Sequence, residues 1–116
     1  MEKQKVISKA LLTLGVPAHL LGYKYLTYAL NLTLEDRMLV RRMTGGLYPS
    51  VAQYFGITAS QVERSIRHAI ETAWLRGGID SQIEYFGNSI DPMKGKPTNR
   101  EFISTVADRL MVEVVA

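Results

Sequence analysis

Apolar residues recur at every third or fourth position along most of the chain, which is the spacing of helices with one buried face. This periodicity predicts helices over residues 2–14, 20–32, 34–43, 49–55, 59–76, 80–86 and 99–112. Sustained β alternation is absent from the sequence, except that residues 111–115 are compatible with a short strand. The chain is therefore interpreted as one all-α domain without internal repeats or a linker.

Residues that start or stop helices stand at most of these boundaries. Gly15 is placed to end the first helix, and Gly77 to end the helix over 59–76. Thr33 is expected to cap the helix over 34–43, whose first turn is acidic and whose last turn is basic, as the helix dipole favours. Thr98 is expected to cap the last helix, with Glu101 three residues later completing a capping box.

The helices over 49–55 and 59–76 have the layout of a helix-turn-helix, a motif that reads DNA. A short turn joins them, and Gly56 stands where that turn favours a positive φ angle. Ala52 is small where the two helices must cross closely, whereas Ser65 departs from the apolar residue or alanine expected at its position. Four apolar residues are spaced to form the small core of such a unit: Val51, Phe55, Ile57 and Val62. An ordinary helical hairpin is the alternative.

The helix over 59–76 has two unlike faces. Its buried stripe is predicted to consist of Val62, Ile66, Ala69, Ile70, Ala73 and Trp74. The opposite face carries four polar residues: Gln61, Glu63, Arg64 and Arg67. They lie in the half that enters the major groove in a helix-turn-helix, where arginine bonds guanine, glutamine bonds adenine and a carboxylate accepts from cytosine. All four are candidates for base contacts, although Glu63 can also form a surface ion pair with Arg67.

The two histidines have different surroundings in the sequence. His68 follows Arg67 on the polar face and can either donate to a phosphate or cover the edge of the core; we favour the phosphate. His19 follows Pro17 in a connector and is expected to be structural. Neither histidine has a ligand partner at helical spacing or a carboxylate cluster beside it, so no metal site is predicted.

Composition narrows the classes of protein. The 116 residues are 47% hydrophobic and include no cysteine, which suits one folded domain and excludes disulfides and thiolate metal sites. No apolar run is long enough to span a membrane and the charged N-terminus is not a signal peptide, so a cytoplasmic protein is expected. The net charge of +3 permits a polyanionic partner. Basic residues form three clusters: Arg41 and Arg42; Arg64, Arg67 and His68; Lys94, Lys96 and Arg100.

The segment 93–98 is the nearest approach to an enzyme motif. A phosphate-binding loop would need a glycine where this chain has Ile90 and a hydroxyl residue where it has Pro97. Lys94, Lys96 and Thr98 can still contact a phosphate, since Thr98 opens a helix; a mobile basic loop is the alternative. No nucleophile, metal site or cofactor loop is apparent, so we expect no enzymatic activity, no cofactor and no small-molecule substrate.

Several ordered stretches of the chain resemble one known family. They are residues 15–19 (GVPAH), 22–23 (GY), 47–49 (LYP), 62–64 (VER), 66–71 (IRHAIE), 73–74 (AW), 76–77 (RG), 94–99 (KGKPTN) and 101–103 (EFI). On these residues the chain is similar, over nearly its whole length, to the C-terminal DNA-binding effector domain of the response regulator that initiates sporulation in endospore-forming bacteria, the stage zero sporulation protein A family. The resemblance implies a six-helix fold with an embedded helix-turn-helix. It also implies a two-component activator and repressor of transcription that binds tandem TGTCGAA-like boxes, with two protomers head to tail.

The resemblance assigns roles to individual positions. Base contacts are implied for Glu63, Arg64 and Arg67. Proximity to the DNA backbone is implied for Ser60, His68, Lys94, Lys96 and Thr98. The segment after the recognition helix resembles the surface that meets the housekeeping sigma factor of RNA polymerase, with matches at Ser81, Phe86 and Ile90. Phe86 has an equal alternative as a core aromatic residue.

Some positions depart from the family pattern, and they bear on box preference and activation more than on DNA binding itself. Gln61 stands where arginine or another residue is usual, and Gly45 where lysine is common. Asn88 and Ser89 replace a tyrosine–threonine pair. Calcium binding is associated with the full-length family, but nothing in this chain supports it.

The family's full-length protein also has an N-terminal receiver domain that is phosphorylated on an aspartate, for which these 116 residues have no room. We therefore expect unregulated DNA binding by a mostly monomeric protein that pairs chiefly on tandem boxes. The alternative function is a protein-interaction module that docks a sigma factor or another regulator without reading DNA. A steep fall of affinity with salt distinguishes DNA binding from docking.

Overall fold

The structure, a computed structural model, describes residues 2–87 and 95–115. Within these residues the chain forms six α-helices and no strand: α1 (Lys3–Thr13), α2 (Leu21–Glu35), α3 (Tyr48–Phe55), α4 (Ala59–Arg76), α5 (Ile79–Phe86) and α6 (Asn99–Val115). A 3₁₀ helix (Arg37–Arg41) and a π-helical segment (Met43–Leu47) connect α2 to α3. The predicted all-α fold with an embedded helix-turn-helix is confirmed.

Helix α2 organises the core, since it packs against α1, α4 and α6. Its side chains Leu26 and Leu30 are fully buried, as are Leu11 of α1, Ile66 of α4 and Phe102 of α6. Each such side chain contributes roughly 1.5–3 kcal/mol by leaving water. Four different helices therefore depend on one shared core for their relative positions.

The helix-turn-helix has the local chemistry that its sequence predicts. Gly56 ends α3 in the left-handed region with φ 68°, where a residue with a side chain would be strained. Ala52 and Val51 of α3 are buried, and α4 begins and ends at the predicted residues. Thr58 caps the start of α4 and Gly77 follows its end, and of these two signals only the glycine was identified from the sequence.

Two helix ends differ from the prediction. Helix α2 continues to Glu35, because the buried Thr33 hydroxyl donates to the Ala29 carbonyl one turn earlier (2.8 Å) and so does not act as a cap. Asp36 does the capping instead, accepting from the Met38 backbone N–H at 3.0 Å, and it starts the 3₁₀ helix. The predicted helix over residues 34–43 is therefore wrong.

The last helix is longer than predicted, and the strand considered for residues 111–115 is wrong. Helix α6 runs to Val115, with Met111 packed against the core one position after the fully buried Leu110. An isolated strand would have no pairing partner in a helical fold. The capping box at its start is confirmed, since Thr98 N–H donates to the Glu101 carboxylate at 2.8 Å and Glu101 N–H donates to the Thr98 hydroxyl at 3.1 Å.

Helices α2 and α4 touch backbone to backbone at Gly22. A Cβ atom at this glycine would lie 2.2 Å from the carbonyl oxygen of Ser65 and 2.6 Å from the Cβ of Ala69. Both distances are far inside van der Waals contact, so a side chain at this position would force the helices apart. Ser65, which departs from the residue expected in a helix-turn-helix core, thus lies at the crossing with α2.

The ends of α1 and α4 meet around Gln82 of α5. The buried Gln82 amide nitrogen lies 3.1–3.2 Å from the carbonyl oxygens of Leu14, Ala73 and Gly77, so its two hydrogens are shared among three acceptors. Glycines at the same junction allow the close approach, because a Cβ on Gly15 would lie 2.6 Å from the Gly77 oxygen. One side chain therefore joins carbonyl groups from the ends of two helices, of which the Ala73 carbonyl also accepts from the Gly77 backbone N–H at 3.3 Å.

We expect Gly22→Ala to destabilise the fold by about 1–3 kcal/mol, although alanine is the better helix former, because the added methyl group meets backbone that cannot move aside. Urea unfolding followed by circular dichroism measures the change. Gly45→Ala is the matched control, since a Cβ at Gly45 meets nothing within 4 Å. Equal stabilities of the two variants would contradict the close crossing.

We expect Gln82→Leu to lower the free energy of unfolding by about 1–3 kcal/mol, because it removes the donor of three carbonyl groups at a buried site. The same substitution at the exposed Gln53, Gln53→Leu, is expected to change stability by less than about 0.5 kcal/mol. Thermal and urea unfolding of both variants provide the test. A Gln82→Leu protein as stable as the original would show that water replaces the side chain at no cost.

Candidate nucleic-acid interface

The outward face of α4 carries basic side chains that were singled out from the sequence. Arg64, Arg67 and His68 are exposed, while the predicted stripe of Val62, Ile66, Ala69, Ile70 and Ala73 is buried. Trp74, also predicted for the stripe, is half-buried and packs its ring against Phe86 and Phe102. The apolar stripe thus orients the helix so that its cationic side chains face solvent.

Glu63 and Arg67 form an ion pair along α4. The Arg67 guanidinium lies 3.3 Å from Glu63 Oε1, and half of the Arg67 side chain remains exposed. The other carboxylate oxygen, Glu63 Oε2, is buried and has no hydrogen-bond partner among the described residues. The pair therefore confirms the surface interaction expected from the spacing, and it leaves one acceptor of the carboxylate unused.

Gln61 is held by the helix start. Its side-chain oxygen accepts from the Thr58 backbone N–H at 2.9 Å, and its own backbone N–H donates to the Thr58 hydroxyl at 3.1 Å. This capping box was missed in the sequence, although a threonine followed three residues later by glutamine is its usual signal. A base contact by Gln61 stays a prediction, and it would require the side chain to leave this arrangement.

An open groove of about 470 Å³ lies between α4 and the start of α6, and we call it the α6-side groove. It is lined by Met43, Thr44, Tyr48, Glu63, Arg67, Ile70, Lys96, Pro97, Thr98, Asn99 and Arg100. Two of the predicted backbone contacts, Lys96 and Thr98, are therefore beside two predicted base contacts. Lys96 also lies 3.8 Å from the Glu71 carboxylate, a half-exposed pair worth at most about 1 kcal/mol.

Asn99 ties the start of α6 to the helix-turn-helix. Its side-chain nitrogen donates to the Tyr48 hydroxyl at 3.0 Å and to the backbone carbonyl of Glu63 at 3.2 Å. Burial raises the pKa of the Tyr48 hydroxyl, the Asn99 hydrogen bond opposes that rise and the Glu63 carboxylate adds to it, so the hydroxyl stays protonated at neutral pH. Sequence reasoning missed Asn99, because only the fold brings it to α4.

A second open groove, of about 670 Å³, lies on the other flank of α4, between that helix and the start of α2. We call it the α2-side groove. Its lining consists of His19, Leu20, Leu21, Gly22, Tyr25, Ile57, Gln61, Arg64, Ser65 and His68. The predicted phosphate contact His68 is exposed here together with His19, which the sequence had assigned to a structural role. Ser60, predicted near the DNA backbone, is exposed in the first turn of α4.

The positions matched to a sigma-factor surface differ in how far the structure exposes them. Ser81 is half-buried on α5, whereas Phe86 is only 4% exposed and stacks with Phe102, so the core alternative for Phe86 is correct. Ile90, like Lys94 and the departures Asn88 and Ser89, lies outside the described residues. Sequence reasoning missed two exposed isoleucines one turn apart on α5, Ile79 and Ile83, which are 64% and 62% accessible.

Residues 2–87 and 95–115 contain no group of three or more histidine, aspartate or glutamate side chains arranged to hold a metal ion. None of the helices in the described part of the chain is long and apolar enough to cross a membrane.

A protein-family comparison adds an independent finding to this geometry. The family model described as "Sporulation initiation factor Spo0A C terminal" matches residues 7–110, which include all six helices in whole or in part, both grooves and the exposed face of α4. A match over so much of the length shows the family rather than one shared motif. The chain belongs to the family of C-terminal domains of the sporulation initiation factor Spo0A.

Proposed function

We propose that this protein is a sequence-specific regulator of transcription at sporulation-type genes, an activator and repressor that reads TGTCGAA-like boxes through α4. The observation that carries the proposal is the exposed basic face of α4, held outward by a buried apolar stripe and flanked by a groove on each side. Membership of a family of DNA-binding domains supports it. The box sequence itself comes from the family resemblance.

The dimensions of α4 suit the major groove of B-DNA. The helix has 18 residues and is about 27 Å long, and a groove about 12 Å wide admits one α-helix. Arg64 and Arg67 lie in its first half, where a recognition helix meets base edges, and each can give two parallel hydrogen bonds to a guanine. A TGTCGAA box presents guanines on both strands, so both arginines have a target.

Glu63 suits a base contact because its carboxylate is incompletely satisfied. In the proposed complex the carboxylate would turn toward the DNA, so that Oε2, which is buried and lacks a hydrogen-bond partner among the described residues, would accept from the amino group of a cytosine. A carboxylate beside phosphates is unfavourable unless it gains such a donor. Its presence on this face favours specific reading of bases over general attraction to the backbone.

Residues on the two flanks of α4 are proposed to position the helix by contacting phosphates. They are His68 in the α2-side groove, Lys96 and Thr98 in the α6-side groove, and Ser60, which is exposed in the first turn of α4, together with Lys94, which lies outside the described residues. Such contacts supply affinity and register without reading sequence. Tandem boxes would place two protomers head to tail, as the resemblance implies.

We expect Arg67→Ala to reduce the preference for a TGTCGAA duplex over a scrambled duplex by about 5- to 150-fold, which corresponds to the 1–3 kcal/mol of one lost bidentate contact. Fluorescence anisotropy with labelled duplexes measures both affinities. Arg76→Ala is the matched control, because it removes the same exposed side chain from the far end of α4. The control is expected to keep the preference.

The salt dependence of the same titrations separates the two candidate functions. DNA binding predicts a linear fall of log affinity with log salt, since the protein displaces phosphate counterions. Weak, equal binding of both duplexes by the unaltered protein would contradict specific reading and would favour the alternative of a docking module.

A contact with the housekeeping sigma factor is a further part of the proposal, and the exposed apolar face of α5 favours it. Ile79 and Ile83 present two large apolar side chains to solvent on one side of a short helix. Gln82 and Phe86, on the adjacent stripe of α5, anchor the helix in the fold, so Phe86 would act by holding α5 in place rather than by touching the partner. Ser81 is half-buried and lies on a different side of α5 from the two isoleucines.

We expect Ile83→Ser to reduce activated transcription in a reconstituted assay with RNA polymerase while leaving affinity for the box unchanged, because the substitution alters only the apolar face of α5. Val112→Ser changes an equally exposed apolar residue (67% accessible) on α6 and serves as the control. Loss of activation by both variants alike, or by neither, would contradict a docking role for α5.

A further inference from the structure

His19 lies at the candidate DNA interface, although the sequence places it in a connector far from the helix-turn-helix. Its side chain is exposed and lines the α2-side groove together with Arg64 and His68 of α4. A structural histidine would be expected to be buried or to join two elements. The position of His19 instead adds a third basic side chain to the flank of the recognition helix.

The helix crossing explains how this residue reaches α4. Gly22 in the first turn of α2 lets that helix approach so closely that a Cβ there would lie 2.2 Å from the Ser65 oxygen. His19 is three residues before Gly22 and therefore enters the groove beside the turn of α4 that contains Arg64, Ser65 and His68. Gly22 thus permits the close approach of α2 to α4, and this approach places His19 in the lining of the α2-side groove.

Charge distinguishes the two grooves beside α4. The α6-side groove contains a carboxylate, Glu63, among its cationic residues. The residues that line the α2-side groove include His19, Arg64 and His68 and no aspartate or glutamate. A concave surface with only basic charges favours an anion, and in a helix-turn-helix complex the phosphates that border the major groove face both flanks of the recognition helix.

We propose that His19 is a DNA-backbone contact, which together with His68 binds phosphates of one strand while Lys96 and the start of α6 bind those of the other. This inference rests on the proposed function, since it assigns a new residue to the same DNA complex. The recognition helix would then be held in the major groove from both sides, by two segments that are distant in sequence. The contact carries no base preference of its own, because phosphates are the same at every position.

Anisotropy titrations at about pH 6.0 test the assignment directly. We expect His19→Ala to weaken binding to the TGTCGAA duplex and to a scrambled duplex by the same factor and to lower the slope of log affinity against log salt by about 1. His19→Lys is expected to restore that slope. Lys5→Ala, which removes an exposed cation on α1 that lines neither groove, is expected to leave it unchanged.

Phosphate ethylation interference gives a second readout that a merely structural role would not move. We expect His19→Ala to lose interference at phosphates of one strand only, and Lys96→Ala to lose it on the opposite strand. A His19→Ala protein with the original salt slope and interference pattern, while the unaltered protein still prefers the box, would overturn the inference and leave the proposed function intact. Absence of any box preference in the unaltered protein would overturn both.

Discussion

The contact between Gly22 of α2 and the backbone of Ser65 in α4 is the constraint on which the exposed basic face of α4 depends. The Ser65 oxygen lies 2.2 Å from the position that a Cβ atom would take at Gly22, which is too close for any residue other than glycine. The same contact fixes the rotation of α4, since it buries Ala69 and turns Ile66 and Ile70 into the core. The packing of the buried face of α4 against α2 therefore sets the outward direction of the basic side chains, and their charges contribute only secondarily.

Helix boundaries were predictable where one local signal was strong and unopposed. The end of α4 follows from Gly77 and the bounds of α3 from Pro49 and Gly56, whereas the capping box at the start of α4 was present in the sequence but not recognised. The end of α2 was not predictable in this way, because Thr33 has two options, a cap or a bond back to Ala29. Burial decided between them, since a buried hydroxyl must find a partner within its own helix.

The candidate site shows the same division between local and long-range information. Helical spacing alone placed Arg64, Arg67 and His68 on one exposed face, and all three side chains are exposed in the structure. His19 and Asn99 were missed as neighbours of α4, because they reach it through the crossing of α2 and through the first residues of α6. A periodic pattern describes one helix, whereas a binding surface is assembled from several.

In the free protein a weak ion pair holds Glu63 and Arg67, two of the residues proposed to contact bases. The Glu63–Arg67 pair is half-exposed and one turn apart, a geometry worth only about 0.2–0.5 kcal/mol. A bidentate contact of an arginine with guanine discriminates by about 1–3 kcal/mol, which exceeds the worth of the ion pair, so the pair would not prevent the proposed base contact. The ion pair restricts the conformations of the long Arg67 side chain at little cost in energy. It also holds the Glu63 carboxylate beside the start of α6, so one weak interaction positions both side chains for the proposed base contacts.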